Sequence, residues 1–382
     1  MTRTVRLGWG REDLPTAVSE GARVVEPPRP PPPRSLEPLL AGALGAPLGA
    51  ERLRGRFHAE QVVVIVSDAT RAEPRAALLD AVRGELGGGT PLVAVANGTH
   101  RPAPIEALSL PGWVSRVVNH DGWDDAAFVD MGVTRRGTRV RFPRWLLEAK
   151  LVVATGRIRP HYFAGFGAGV KALFPGLGHH EDIRANHRLK VDASARLGAA
   201  EGNACRDDME EAGRLLGVET FLLNVVLDDE GGAHAAVAGD VEQAFRAGAD
   251  ACRPLCEVTL PPADVVVVSE RLPVTRDLYQ ASKLLAPAAA CLRPGGVVVL
   301  VAECPFGTGP LATVEHDIYR LGLRPRFAGE HTIYLVSSMG EAQVAPTYCR
   351  YAASVEDVLA RHRGDVLVLP RAGSLVPRIE AA

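Results

Sequence analysis

The feature that most constrains this chain is a series of short, continuous Val/Ile/Leu runs, each separated from the next by a helical pattern. The runs are Gln61–Val66, Pro91–Ala96, Leu151–Thr155 and Phe221–Leu227, then Asp264–Ser269, Gly296–Ala302, Thr332–Ser337 and Asp365–Leu369. Most do not alternate apolar with polar residues. Such runs suit parallel strands covered on both faces. Between them lie helical patterns at Glu73–Leu86, Asp207–Leu216, Val241–Cys252, Asp277–Leu292 and Ser354–Arg363. Strand and helix in alternation predict an α/β protein with mainly parallel sheets. A length of 382 residues suggests two such domains. The boundary is expected near residues 235–260, after Gly231-Gly232 and one helix, which divides the chain into 1–245 and a Rossmann-like 246–382. A first strand is expected at Thr4–Gly8. The prolines at 27, 28 and 30–33 read as a surface connection within the first domain.

Charge and composition exclude several classes. Lys plus Arg total 43 against 45 Asp plus Glu, a formal charge of −2. Without a basic excess, no nucleic-acid partner is expected. No apolar run reaches the ~18–20 residues of a membrane span, and the start MTRTVRLGWGRED has no apolar signal core. The six cysteines form no CxxC pair, so a reduced, cytoplasmic protein is expected. Only four of the 43 basic residues are lysines: Lys150, Lys171, Lys190 and Lys283. A lysine in a glycine-rich or apolar setting therefore asks for a chemical reason, because lysine, unlike arginine, can act as a nucleophilic amine.

In open α/β sheets, ligands bind beyond the carboxyl ends of strands. Three consecutive runs end in chemically capable residues: Ser67-Asp68-Ala69-Thr70-Arg71, Asn97-Gly98-Thr99-His100 and Gly156-Arg157-Ile158-Arg159-Pro160-His161. Each alone could be a turn or a helix cap; three together point to a site. The following segment, Tyr162-Phe163-Ala164-Gly165-Phe166-Gly167-Ala168-Gly169-Val170-Lys171, brings three glycines up to a lysine. Those glycines would let backbone amides approach an anion. Neither a Walker A loop nor GxGxxG fits. His179, His180 and His187 follow, the last two spaced to share a helical face.

The run His161–Lys171 with Asn186-His187 resembles the nickel-dependent lactate racemase family. Asp68-x-Thr70-Arg71, Gly98-Thr99-His100 and Tyr279-Gln280-x-x-Lys283 match further family motifs, in the family's order. The resemblance implies an active site in the cleft between two α/β domains and a nickel-pincer nucleotide, a pyridinium mononucleotide holding nickel through two sulfurs and a ring carbon. Its thioamide tether falls on Lys171 and its histidine ligand on His187; soft sulfur with imidazole suits square-planar nickel. Gly165, Gly167 and Gly169 would admit the nucleotide, with Asp68 near it or near Arg71. His100 and His161 fall on the two general bases, one for each face of a small 2-hydroxy acid. Arg71, Tyr279, Gln280 and Lys283 fall on groups holding carboxylate and hydroxyl, and Phe163 on an aromatic against the substrate side chain. Transient contact with pincer-synthesis enzymes is implied.

Two departures put lactate itself in doubt. Arg159 stands where a neutral or acidic residue is expected, and the Thr332–Gly340 region has no tryptophan. On the residues alone, three rivals stay open. One is a cofactor carrier or inactive homologue, and another is a zinc hydrolase built on His179, His180 and His187. The last is a methyltransferase suggested by Leu292-Arg293-Pro294-Gly295-Gly296, although its glycine loop is missing after Val268.

Overall fold

The computed structural model of the protein describes residues 1–380. They form two compact units: Pro30–Ala195 with Ala199–Pro254, and Met1–Arg29 with Arg196–Gly198 and everything from Leu255 onward. The first holds a six-stranded sheet in the order Ala233–Gly239, Glu219–Leu227, Leu151–Ile158, Val62–Ser67, Leu92–Ala96, Val117–Asn119. All neighbours are parallel except the Ala233–Gly239 edge. The continuous apolar runs have the reason expected of them: residues 62–66 and 151–156 are buried. Helices Leu36–Gly45 and Arg75–Glu85 cover Val62, Val64 and Val66 with Leu40, Leu78 and Leu79. Strand Leu151–Ile158 runs three residues beyond its expected end, because Glu219–Leu227 continues to pair with it as far as Ile158.

The second unit carries another six-stranded sheet, Arg350–Tyr351, Thr332–Val336, Leu292–Val301, Ala263–Ser269, Val366–Leu369, Arg23–Val24, with every neighbouring pair parallel. The expected grouping of residues 1–245 differs from the structure here. The hairpin Thr2–Trp9/Glu12–Ser19 buries Leu7 and Val18 against Val265, Val267 and Val299, and Gly8 donates its N–H to Ser269 Oγ at 3.0 Å. Residues 1–29 thus belong with the C-terminal sheet. The proline segment is where the chain passes from one unit to the other, at Arg29/Pro30, and the return falls at Pro254/Leu255. The expected helix Asp277–Leu292 is broken into Leu278–Ala281, a tighter turn Ser282–Leu284, and Leu285–Cys291. Pro287 sits in the first turn of that last helix, where no N–H is required. Among the described residues, no helix is long and apolar enough to cross a membrane. All six cysteines are buried, and none is in a disulfide.

Candidate active site

Strand Val62–Ser67 lies between Leu151–Ile158 and Leu92–Ala96, parallel to both. The three chain ends leaving these strands therefore emerge at one rim, as the sequence predicts. Two residues that sequence reasoning missed set the first loop. Arg75, buried at the start of its helix, donates to the carbonyls of Ser67 at 3.0 Å, Arg71 at 2.7 Å and Asp68. Glu73 accepts the Ser67 N–H at 2.8 Å and its hydroxyl at 2.9 Å. Burial pushes the Glu73 carboxyl up, against the Arg75 charge and the Ser67 bonds. With the loop so held, Arg71 is exposed and Asp68 is buried.

Asp68 was expected near the cofactor or Arg71, and its carboxylate is bonded within the rim. Oδ1 accepts the Thr70 N–H at 2.7 Å and hydroxyl at 2.5 Å, and Oδ2 lies 3.0 Å from His100 Nδ1. Burial opposes ionisation, but the His100 and Thr70 hydrogen bonds and the Arg71 and His100 charges outweigh it, holding the carboxyl at about 2. His100 rides on a turn pinned at several points. The Asn97 side chain donates to Asn119 Oδ1 at 2.8 Å and to the His120 carbonyl at 2.6 Å. Gly98, at φ +56°, donates to the Gly176 carbonyl at 2.9 Å, and Gly176 donates to the Lys171 carbonyl at 2.9 Å. Two bonds thus register the His100 turn against the Lys171 loop.

His161 pairs with Gly165 in a tight hairpin, and the Ala164 N–H donates to His161 Nδ1 at 3.2 Å. Phe163, expected against a substrate side chain, is only 2% exposed. Its ring packs edge-on to His161 at 4.7 Å and meets His187 at 5.0 Å, and the Lys171 ammonium lies 5.5 Å from its centroid. Phe163 is thus the common packing partner of the second histidine, the lysine and the third histidine. The glycines divide by cause. A Cβ on Gly165 would fall 1.9 Å from the Ala199 carbonyl oxygen, and one on Gly169 2.6 Å from Phe245; both have positive φ. Packing alone requires those two. A Cβ on Gly167 would meet nothing closer than 3.7 Å, so packing does not require that one.

Arg206 is another missed residue. It is fully buried, stacked 3.8 Å over Phe245, and donates to the carbonyls of Ala164, at 3.1 Å, and Phe166. Burial pulls its guanidinium down to about 10. A lone arginine at the edge of a helical pattern gives no sequence signal of such a role. His187 lies on helix His180–Arg188, anchored next door by buried Asn186, whose amide donates to Asp208 Oδ2 at 2.8 Å and the Cys205 carbonyl at 3.1 Å.

The three-histidine zinc reading fails on geometry. Among the described residues, the group close enough to share a metal is Asp125, His179 and His180, without His187. Both ring nitrogens of His179 are engaged: Nδ1 accepts the Glu181 N–H at 3.3 Å, capping the helix, and Nε2 lies 2.7 Å from Asp125 Oδ1. His180 Nδ1 lies 3.1 Å from the Gly122 carbonyl, and its ring stacks on Trp123 at 4.0 Å. These are the contacts of a capped helix start.

Tyr279, Gln280 and Lys283 belong to the other unit. The Asp277 carboxylate caps their helix by accepting the Gln280 N–H at 2.8 Å. Lys283 Nζ donates to Gln280 Oε1 at 2.6 Å and lies 5.2 Å from the Tyr279 ring centroid. The helix spacing thus brings the three together.

The chain matches the lactate racemase N-terminal domain over residues 7–198. It is 31% identical over 288 residues to a lactate racemase of Thermoanaerobacterium thermosaccharolyticum, covering 72% of this chain and 67% of the relative. It is also 31% identical over 284 residues to a lactate racemase of Lactiplantibacillus plantarum, covering 70% and 66%. Its fold matches the lactate racemase apoprotein of T. thermosaccharolyticum with a TM-score of 0.89 at 24% identity, over 98% of this chain and all of that one. A Thermotoga maritima protein matches at 0.67 and 16% identity, over 92% of this chain and all of that one. On the extent of the domain match and the identity to these relatives, the chain belongs to the lactate racemase family.

Proposed function

We propose that this chain is a racemase or epimerase that inverts C2 of a small 2-hydroxy acid with a nickel-pincer nucleotide as cofactor. The observation that carries the reading is the rim itself: three neighbouring parallel strands lead to an Asp68–His100 pair with Arg71 and to His161. Arg71 offers a guanidinium fork suited to bidentate contact with a carboxylate. His100 takes the hydroxyl proton on one face, and Asp68 steadies the imidazolium that results. His161 serves the other face. Tyr279, Gln280 and Lys283 hold the substrate's carboxylate and hydroxyl.

The donor chemistry fits the cofactor. A nucleophilic amine, Lys171, and an imidazole, His187, flank one buried ring, and Gly167 leaves room for close approach. Lys171 would tether the group and His187 would ligate its nickel. When bound, the group would accept the C2 hydrogen as hydride, sparing the substrate a carbanion. Loading would bring the chain into transient contact with pincer-synthesis enzymes in the cytoplasm.

The test is to co-produce the chain with those enzymes and measure nickel, intact mass and chiral inversion over a panel of 2-hydroxy acids. About one nickel per chain with inversion of a panel member supports the reading. Protein without nickel or added mass, from cells whose pathway loads a known family member, overturns it.

A further inference from the structure

We infer that the two candidate bases rest as opposite tautomers: His100 presents an unprotonated Nε2, and His161 presents Nε2–H. The inference rests on the proposed function for its meaning, but not for its geometry. His100 Nδ1 lies 3.0 Å from Asp68 Oδ2. An ionised carboxylate only accepts hydrogen bonds, so the nitrogen facing it carries the ring proton. A neutral imidazole has one such proton, which leaves Nε2 as a lone pair. At His161 the partner is reversed. A backbone amide only donates, and the Ala164 N–H points at Nδ1 from 3.2 Å. Nδ1 is therefore the lone pair, and the proton sits on Nε2.

The amide that decides this is itself held. The Ala164 N–H belongs to the same peptide plane as the Phe163 carbonyl, and the Asn203 side-chain amide donates to that carbonyl at 2.8 Å. Asn203 is fully buried, and its Oδ1 caps the next helix by accepting the N–H groups of Cys205 and Arg206 at 3.1 and 3.2 Å. Asn203 is thus a positioning residue for His161, as Asp68 is for His100.

The consequence is a division of labour in the resting enzyme. A hydroxyl on the His100 side meets a proton acceptor; an oxygen on the His161 side meets a donor. For His161 to accept a proton at Nε2, its own must move to Nδ1, and the Ala164 amide must give up its bond. Oxidation of one enantiomer starts from the resting state, and oxidation of the other needs that exchange first. Enantiomers have equal free energy, so kcat/KM is equal in the two directions; the asymmetry falls on kcat and KM taken separately.

The experiment is two-bond nitrogen–proton NMR on full-length protein labelled with 15N-histidine, made without the pincer pathway and recorded well above the ordinary histidine pKa. His100→Gln and His161→Gln spectra assign the two rings. The expected pattern is Nδ1–H for His100 and Nε2–H for His161; the same tautomer at both sites overturns the inference. Asn203→Asp keeps the capping oxygen and loses the donor. It should move the His161 ring toward mixed tautomers while His100 stays unchanged, and an unaltered His161 pattern in that folded variant would remove Asn203 from the assignment. Asp68→Ala should convert His100 to Nε2–H, the form free histidine favours; an unchanged ring would contradict the role given to Asp68. Opposite tautomers in a protein that inverts no hydroxy acid would sink the proposed reaction and leave this assignment standing.

Discussion

Asp68 Oδ2 lies 3.0 Å from His100 Nδ1, and the same carboxylate takes both hydrogen bonds of Thr70 on its other oxygen. The acid is thus saturated from one side and aims the imidazole from the other. Removing it by Asp68→Ala should lower kcat on the order of 10²-fold with a smaller change in KM, because orientation of the proposed base is lost while Arg71 remains. Initial rates of inversion from both enantiomers check this.

The same carboxylate should appear in the acid stability of the fold. Its folded value of about 2 lies below the ordinary value of 3.8, so ionised Asp68 stabilises the protein above about pH 4. That contribution, roughly 2 kcal/mol, fades as pH falls toward about 2. Chemical denaturation of the wild type and Asp68→Asn should differ most at neutral pH, and the difference should shrink steadily below pH 4. A constant difference would contradict the assignment.

Gly165 and Gly167 should respond to alanine in opposite ways. Gly165→Ala drives a Cβ into the Ala199 backbone at positive φ and should yield little folded protein. Gly167→Ala meets no obstacle and should keep stability within ~0.5 kcal/mol. If Gly167 serves close approach of the nucleotide, that variant should still lose most of its retained cofactor, read by intact mass.

Arg206 holds two carbonyls of the loop that leads to Lys171. Arg206→Met would leave both without this donor in a buried place, a loss of about 2–5 kcal/mol. Denaturant midpoints report it. Arg206→Lys, which retains one donor group, should fall between methionine and wild type.

Lys171→Ala and His187→Ala separate the proposed tether from the proposed nickel ligand. The first should free the cofactor's mass from the denatured chain, and the second should lower retained nickel after gel filtration. Their common neighbour Phe163 supplies the control. Phe163→Leu keeps both donor groups and should retain the tethered mass.

The rim of the candidate site was legible because its motifs follow strands. The apolar runs ending before Ser67, Asn97 and Gly156 locate three loops, and parallel neighbours must place those loops at one rim. Asp68, Arg71, His100 and His161 were found that way. What each side chain touches was not legible. Asp68 belongs to His100, Phe163 is buried packing, and Gly165 and Gly169 are required by Ala199 and Phe245. Glu73, Arg75, Asn203 and Arg206 escaped notice, since a buried polar residue is recognised by the backbone groups it satisfies.

By itself the sequence determined the central apolar strands of both six-stranded sheets and the helices over 75–85, 204–214, 241–252 and 355–361, because continuous apolar runs and 3.6-residue patterns report burial along the chain; helix Leu36–Gly45 and the edge strands of both sheets lay outside those patterns. The tertiary structure alone decided that residues 1–29 join the C-terminal sheet, a pairing made across more than two hundred residues. It alone decided how each histidine is held. A carboxylate 32 positions away orients one, and an amide three positions away, pinned through the Phe163 carbonyl by Asn203, orients the other. Hydrogen bonds depend on distance and direction in space, and spacing along the chain encodes neither.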